Sequence, residues 1–395
     1  MTALGHSGQL WRRVMRPRDP DEPHRAATVL ELFFDLVFVV AVAQAAVGLE
    51  HAFVEHHIGS GVVYYAMAFF AIWWAWMNFT WFASAYDVDD VPYRLLTLLQ
   101  MSGALVMAAG VGDTISVHNY TVMVAGYVLM RVAMIGQWLR AAACDPARRV
   151  TALRYAGGIA VVQCFWVGWL WVPAKFQIPA FVVFALLELA VPPFAERVNV
   201  TPWHPHHIAE RYGLFTIIVL GECILAATTS VQSARAAGAG GVELYLLAGA
   251  GLVIVFAMWW VYFDQPGHVM LLTSLAKALK WGYGHLLIFA SVAAVGAGLQ
   301  VAVAVHRGDA ELGATTVGYA VAVPVAVYLL GVGVLQIFPR ACWQMTVAVL
   351  VAVIAVLVAP SLLKSSIVVI AACLVVLVAV IAVLDHRLAR EANPG

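Results

Sequence analysis

Long apolar runs separated by short polar breaks dominate the chain. A helix that crosses a bilayer needs about 20 mostly apolar residues. Twelve runs of this kind predict twelve transmembrane helices. The runs lie near 28–49, 60–83, 94–112, 119–139, 153–172, 177–195, 212–231, 242–263, 283–304, 315–338, 343–360 and 366–385. Short breaks within 94–139 and 343–385 leave eleven or thirteen helices open. The pattern therefore predicts an all-α, polytopic membrane helix bundle.

The composition supports this fold class. Of the 395 residues, 63% are hydrophobic and only 11% are charged, whereas about a quarter of a soluble domain is charged. So few charges could not cover a surface that faces water, and the lipid bilayer is the predicted partner. The formal net charge is zero, which gives no basis for a nucleic-acid partner.

The Lys and Arg residues predict an orientation, because they are enriched in cytoplasmic loops. If the N-terminus is cytoplasmic, all but four of the 22 Lys and Arg residues lie on the cytoplasmic side; the four are Lys175, Arg235, Arg307 and Lys364. We therefore expect both termini to be cytoplasmic.

The predicted helices divide into two sets of six. The predicted segments are a cytoplasmic tail at 1–26, a first half at 27–200, a second half at 201–386 and a C-terminal tail at 387–395. Six helices per half would give both halves one orientation, as in parallel repeats. Helices 10 to 12 are almost purely aliphatic, which is typical of scaffold or of a contact in a homo-oligomer.

Helix 1 carries two acids near its cytoplasmic end. Glu31 and Asp35 are four residues apart and share one helix face. Neighbouring carboxylates disfavour each other's ionisation, which suits cation binding, proton transfer or pairing with Arg. The structural alternative is a Glu31 that the helix dipole stabilises and an Asp35 in a salt bridge.

Helix 7 carries a second set of polar residues. His207 and Arg211 are four residues apart, and Glu222 follows near the same helical stripe. Glu222 should lie about 16 Å deeper than Arg211. An acid near the bilayer midplane is a functional-site hypothesis, and a structural hydrogen bond to a neighbouring helix is the alternative.

Histidines at the start of helix 7 leave a metal site open. Glu210 could join His204, His206 and His207 around a divalent metal, but their spacing is not specific for one. The sequence requires no cofactor.

Helix 2 ends in a segment that is dense in aromatic residues. Trp74, Asn78 and Trp81 recur at about helical spacing, so one stripe could face a cavity. Interfacial belts of Trp and Tyr are the alternative interpretation.

The segment after helix 2 is acidic. Asp87-Val88-Asp89-Asp90, beside Arg94, resembles the DxDD general-acid motif of class II terpene cyclases, in which aromatic residues stabilise carbocations. A solvated acidic loop is the alternative.

Three further polar residues lie within or at the ends of apolar runs. Arg131 needs a carboxylate partner, and Glu31, Asp35 and Glu188 are nearest to it in membrane depth. His285 lies at the start of helix 9. Most of these polar groups fall in the cytoplasmic half, which predicts a cavity that is open to, or gated from, the cytoplasm.

Two segments resemble the signatures of a known family. They are Leu30-Glu31-Leu-Phe-Phe-Asp35-Leu-Val-Phe38 and Glu210-Arg211-Tyr-Gly-Leu-Phe-Thr-Ile-Ile-Val-Leu-Gly221-Glu222. Both are similar to the bacterial low-temperature-requirement A (LtrA) family, and the resemblance covers about 25 to 385. It implies a multi-pass protein of the bacterial cytoplasmic (inner) membrane and brings no biochemical activity with it.

These observations favour a gradient-driven transporter or an ion-conducting protein for a small ion, small solute or lipophilic substrate. Glu31, Asp35 and Glu222 would bind the cation or proton, because a desolvated acid changes its proton affinity between cavity states. Arg131 and Arg211 would be their counter-charges, and the helix 2 aromatics would line the path.

The alternative is an intramembrane enzyme that acts on a lipid or isoprenoid. Asp89 or Glu222 would be its general acid, which requires a carboxyl group held protonated in a closed hydrophobic pocket. A non-catalytic scaffold or sensor is the third hypothesis.

Overall fold

A computed structural model describes residues 11–19, 22, 25–264, 274–339 and 342–392 of the protein. In these residues twelve helices are long and apolar enough to cross a membrane. The all-α, twelve-helix prediction is confirmed.

The helix bounds are α1 Val29–Val54, α2 Ile58–Tyr86, α3 Val91–Ser116, α4 Thr121–Cys144, α5 Arg149–Trp169, α6 Ala174–Ala195, α7 Pro205–Ala236, α8 Val242–Phe263, α9 Leu275–Arg307, α10 Ala314–Val332, α11 Trp343–Leu362 and α12 Ser366–Ala392.

Several helices extend beyond their apolar runs. The run near 212–231 lies inside α7, which begins at Pro205, and the run near 283–304 lies inside α9, which begins at Leu275. Hydropathy marks the stretch that suits lipid, whereas a helix continues as long as its backbone groups find partners within it. A capping side chain defines the start of α3, because Asp90 accepts a hydrogen bond from the backbone N–H of Tyr93 at 3.0 Å.

The chain forms two compact units. The first comprises 1–45 and 66–214, and the second comprises 46–65 and 215–395. The predicted halves, 27–200 and 201–386, divide the chain differently, because the end of α1 and the start of α2 group with the second unit. Residues 1–10, 20, 21, 23, 24 and 393–395 of the predicted tails lie outside the described residues. The repeat stays a prediction.

Close packing of α3 against α4 organises part of the first unit. A Cβ atom at Gly126 would lie 2.3 Å from the backbone N of Met107, and one at Gly110 would lie 2.4 Å from the backbone N of Met123. Small residues let membrane helices approach this closely. The contact fixes the position of α4, which carries Arg131.

The segment formed by residues 11–19, 22 and 25–28 belongs to the first unit and contacts its helices. Met15 is buried, and the backbone N–H of Arg18 donates to the carbonyl of Ala85 at 2.9 Å. Arg25 donates to the carbonyl of Ala83 at 2.7 Å, and the N–H of Ala27 donates to Glu210 at 3.2 Å. The segment therefore covers the end of α2 and the start of α7.

Candidate functional site

Four ionisable side chains of α1 and α7 meet inside the first unit, and we call them the α1–α7 cluster: Glu31, Asp35, His207 and Arg211. Arg211 donates to both carboxylate oxygens of Asp35, from Nη2 at 2.5 Å and from Nε at 3.0 Å. Its Nη1 lies 3.1 Å from Oε1 of Glu31. All four side chains are buried. One guanidinium therefore faces two carboxylates.

Helical spacing brings these residues together. Glu31 and Asp35 are four apart on α1, and His207 and Arg211 are four apart on α7, so each pair lies on one helix face. Nε2 of His207 lies 3.0 Å from Oε1 of Glu31. The other oxygen of Glu31 accepts a hydrogen bond from the backbone N–H of Thr28 at 2.7 Å.

Aromatic residues of α2 surround the cluster. The indole N–H of Trp76 donates to Asp35 at 2.7 Å. The indole of Trp81 donates to the hydroxyl of Tyr212 at 3.1 Å, and the Tyr212 ring packs edge-on against Trp76. Trp81, a residue of the predicted stripe, therefore lies beside the cluster. Trp76, which is not part of that stripe, contacts the cluster directly.

The cluster has unused hydrogen-bonding capacity. Oε1 of Glu31, Nε2 of His207 and Nη1 of Arg211 make close charge contacts but no well-directed hydrogen bond, and Nδ1 of His207 also has no hydrogen-bond partner among the described residues. The buried hydroxyl of Tyr93 also has no hydrogen-bond partner among the described residues, and it interacts electrostatically with Glu31 and Arg211. Buried polar atoms are almost always hydrogen-bonded. A further small polar species would satisfy these atoms.

Arg25 and Asp87 extend the charge pattern at the membrane boundary. Their side chains lie 4.0 Å apart, and both are buried. Burial lowers the pKa of the Arg25 guanidinium, although the nearby Glu31 opposes this change. Burial and the charge of Glu31 raise the pKa of the Asp87 carboxyl to about 6. Asp87 therefore changes its charge near neutral pH.

The three acids of the DxDD-like segment have separate partners. Asp89 is half exposed and forms a bidentate ion pair with Arg94, with donor–acceptor distances of 2.7 and 2.8 Å. Asp90 caps α3 and pairs with Arg140. Burial raises the pKa of Asp90, but hydrogen bonds from Arg140 and from backbone N–H groups lower the pKa by more than burial raises it, so the net shift is downward. Each of the three carboxylates has an arginine partner of its own, and no observation on the described residues supports the terpene-cyclase hypothesis.

A second buried network centres on Glu188. Its Oε1 accepts hydrogen bonds from the Tyr127 hydroxyl at 2.8 Å and from the Trp166 indole at 3.1 Å. Its Oε2 accepts one from the Trp74 indole at 2.8 Å. Arg131 contacts the Tyr127 hydroxyl and lies 3.7 Å from Glu188. Of the three acids considered for Arg131, Glu188 is therefore its partner, and the carboxylate of this network is fully satisfied.

The tryptophans of α2 serve both networks. Trp74 and Trp76 are two residues apart, which places them about 200° apart around the helix. Their indole N–H groups reach Glu188 and Asp35 respectively. Asn78 donates to the carbonyl of Trp74 in its own helix, at 2.8 Å. Trp76 is not among the site residues predicted from the sequence. The one feature that could have indicated it is its indole N–H donor, two positions from Trp74, in a helix that the structure places beside buried acids.

An aromatic cavity of about 30 Å³ lies elsewhere in the first unit. Its walls include Phe70, Trp166 and Phe181. Trp74, Asn78 and Trp81 do not line it, so the predicted stripe does not face this cavity.

Glu222 and His285 belong to the second unit. Glu222 is half-buried, and its carboxylate has no hydrogen bond or ion pair with any described residue. His285 is buried; its Nδ1 lies 2.7 Å from the carbonyl of Trp281, and its Nε2 lies 3.0 Å from the Tyr262 hydroxyl. Both nitrogens of His285 are thereby satisfied by structural contacts.

The candidate metal ligands at the start of α7 also have separate contacts. Nε2 of His204 lies 2.8 Å from the carbonyl of Glu22, and its Nδ1 accepts a hydrogen bond from the backbone N–H of His207. Glu210 accepts from Ala27. Within the part of the chain that is described, no group of three or more His, Cys, Asp or Glu residues is placed to hold a metal ion.

A family model matches nearly the whole chain. The model, described as "Bacterial low temperature requirement A protein (LtrA)", covers residues 26–382. The chain belongs to the LtrA family. This confirms the resemblance of the segments that carry Glu31, Asp35, Arg211 and Glu222.

A relative from Rhizobium meliloti (strain 1021), described as an uncharacterized protein, is 31% identical over 250 residues. The match covers 60% of this chain and 58% of the relative, so it spans less than two thirds of the length of either chain.

Proposed function

We propose that this LtrA-family protein is a gradient-driven transporter in which the α1–α7 cluster binds a proton or another small cation. The observation that carries the proposal is the set of buried, under-bonded atoms on Glu31, His207 and Tyr93, which can accept a proton or coordinate a cation. A charge inside the bilayer is costly, and such residues commonly mark ion pathways.

The charge balance of the cluster supports a cation as the bound species. Two carboxylates, Glu31 and Asp35, share the single guanidinium of Arg211. A proton or cation would neutralise the remaining negative charge, and His207 lies close enough to Glu31 to exchange a proton with it. Binding and release would thereby alter the attraction between α1 and α7.

The contrast with Glu188 separates an ion-binding role from a structural one. Glu188 is hydrogen-bonded by Tyr127, Trp74 and Trp166 and has Arg131 as its counter-charge. Both carboxylate oxygens of Glu188 are therefore hydrogen-bonded, and hydrogen-bonded buried networks rigidify a fold, although Nε of Arg131 has no hydrogen-bond partner among the described residues. We therefore assign Arg131 and Glu188 a structural role and Arg211 the role of counter-charge in transport.

The segment formed by residues 11–19, 22 and 25–28 is the proposed cytoplasmic gate. With the N-terminus cytoplasmic, it lies between the cluster and the cytoplasm, and Arg25 holds the end of α2 through carbonyls and through Asp87. Movement of this segment would open the cluster to water. The proposed location is the bacterial cytoplasmic membrane.

Flux measurements in proteoliposomes test the proposal. We expect an imposed proton or potassium gradient to drive flux through the wild type, and Asp35→Asn and Glu31→Gln to abolish it. Asp89→Asn is the matched control, because it neutralises an exposed acid whose ion pair contributes little. Separate dyes for pH and potassium distinguish the two ions.

Two results of the flux assay would contradict the proposal, one for transport itself and one for the site. If neither gradient drives flux through protein that is folded by size-exclusion chromatography, the transport proposal fails. If flux occurs but Asp35→Asn and Glu31→Gln leave it unchanged, the site assignment fails. Glu222→Gln in the same assay tests whether that acid has a separate part in transport.

A further inference from the structure

A cleft of about 440 Å³ lies within the second unit, at the first turns of α8, α10 and α12 and the last turn of α9. Its apolar wall is formed by Leu246, Leu247, Val305, Val317, Ile367 and Val368. A wall of this composition suits hydrocarbon chains. The site is distinct from the α1–α7 cluster.

The rim of the cleft is polar. It carries Glu243, His306, Lys364, Ser365 and Ser366. Ser366 is only 2% exposed, yet its hydroxyl has no hydrogen-bond partner among the described residues. An unpaired hydroxyl of this kind at the wall of a cleft is available to a ligand.

Three helix N-termini add donors at the same place. The N-cap residues of α8 and α10, Gly241 and Gly313, make no side-chain capping bond. The first N–H groups of a helix have no partner within it, and the helix dipole favours negative charge there. Lys364, two residues before the first residue of α12, adds a full positive charge. This side of the rim therefore suits a phosphate.

Glu243 gives the rim its second preference. It lies in the first turn of α8 and is exposed to the cleft. A bare anion would be repelled by this carboxylate, whereas a headgroup with both a phosphate and an ammonium group satisfies Lys364 and Glu243 together.

We propose that this cleft binds a phospholipid with an ammonium headgroup. The phosphodiester lies at Lys364, Ser366 and the helix N-termini, the ammonium lies at Glu243, and the acyl chains follow the apolar wall. The occupant is a zwitterionic lipid of the phosphatidylethanolamine type.

Native mass spectrometry of the full-length protein in detergent tests this site, with phosphatidylethanolamine, phosphatidylglycerol, diacylglycerol and inorganic phosphate as probes. A lysine near a lipid phosphate contributes enough for Lys364→Ala to weaken phosphatidylethanolamine binding about fivefold. Lys175→Ala is the matched control, because this exposed lysine lies in the first unit, against Phe176. Glu243→Gln should remove the preference for phosphatidylethanolamine over phosphatidylglycerol.

Both Lys364 and Glu243 are exposed, so these substitutions leave folding intact. Equal binding by Lys364→Ala and the wild type would overturn the proposal. Equal binding of diacylglycerol and phosphatidylethanolamine would overturn it as well. So would a combined result in which inorganic phosphate displaces neither lipid nor detergent and the preference for phosphatidylethanolamine survives Glu243→Gln.

Discussion

The Arg131–Glu188 pair permits a quantitative test of the structural role assigned to it. Both side chains are almost fully buried. Arg131→Met leaves Glu188 as a buried carboxylate without its counter-charge, and Glu188→Gln leaves Arg131 as a buried cation. Removal of one partner of a buried pair costs about 3–5 kcal/mol of stability.

The double variant Arg131→Met/Glu188→Gln removes both charges. The amide can still accept hydrogen bonds from Tyr127 and Trp166 through its oxygen, but its NH₂ group then faces the Trp74 indole, which is also a donor. One unsatisfied buried donor costs about 1–3 kcal/mol. The double variant should therefore lose less stability than either single variant.

Unfolding by SDS in mixed micelles, followed by circular dichroism, gives the free energy of unfolding of each variant. Arg94→Met and Asp89→Asn provide a control cycle, because their exposed pair is worth at most about 1 kcal/mol. If the two single losses at Arg131 and Glu188 simply add in the double variant, these residues are not an interacting buried pair and the reasoning is refuted.

Three further substitutions test other parts of the structure. Asp87 has a folded-state pKa of about 6, above its usual 3.8, so the folded protein binds this proton more tightly than the unfolded chain and wild-type stability should fall by about 2 kcal/mol as pH rises from 4 to 6. SDS unfolding at several pH values should show that Asp87→Asn lacks this part of the pH dependence, and a variant with the wild-type pH profile would contradict the prediction. Asp90→Asn keeps a helix cap and loses the charge, whereas Asp90→Ala loses both, so the Ala variant should be less stable than the Asn variant by about 1 kcal/mol. Equal thermal midpoints of the two variants would argue against the cap. Gly126→Ala places a Cβ atom against the backbone of Met107 and should lower the thermal midpoint strongly. The Cβ atom of Gly157→Ala meets nothing within 4 Å, so this variant should change stability by less than about 1 kcal/mol. Similar thermal midpoints of the two variants would exclude the close α3–α4 contact.

The fold could be predicted because a bilayer leaves the backbone few choices. Each apolar run must form a helix to satisfy its N–H and C=O groups, so run length and spacing determine the element order. The pairs Glu31/Asp35 and His207/Arg211 could likewise be placed on single helix faces from their spacing of four.

The pairing of those faces was beyond sequence reasoning. Asp35 and Arg211 are 176 residues apart, and several carboxylates lie at depths compatible with either buried arginine. The Trp-rich part of α2 matched an interfacial belt as well as a cavity wall, because composition does not reveal that Trp76 donates to an acid. Glu222 shares a stripe with Arg211, but a stripe gives direction around a helix and not contact.

The distance in sequence between Asp35 and Arg211 also has a consequence for biosynthesis. At about 5–20 residues per second, α7 leaves the ribosome roughly 10–35 s after α1. During that interval Asp35 must be accommodated in the bilayer or the translocon without its guanidinium, and the high hydropathy of the rest of α1 makes this tolerable. Chains that terminate after α6 would never acquire Arg211, and membrane quality-control proteases that recognise unpaired intramembrane charge should remove them.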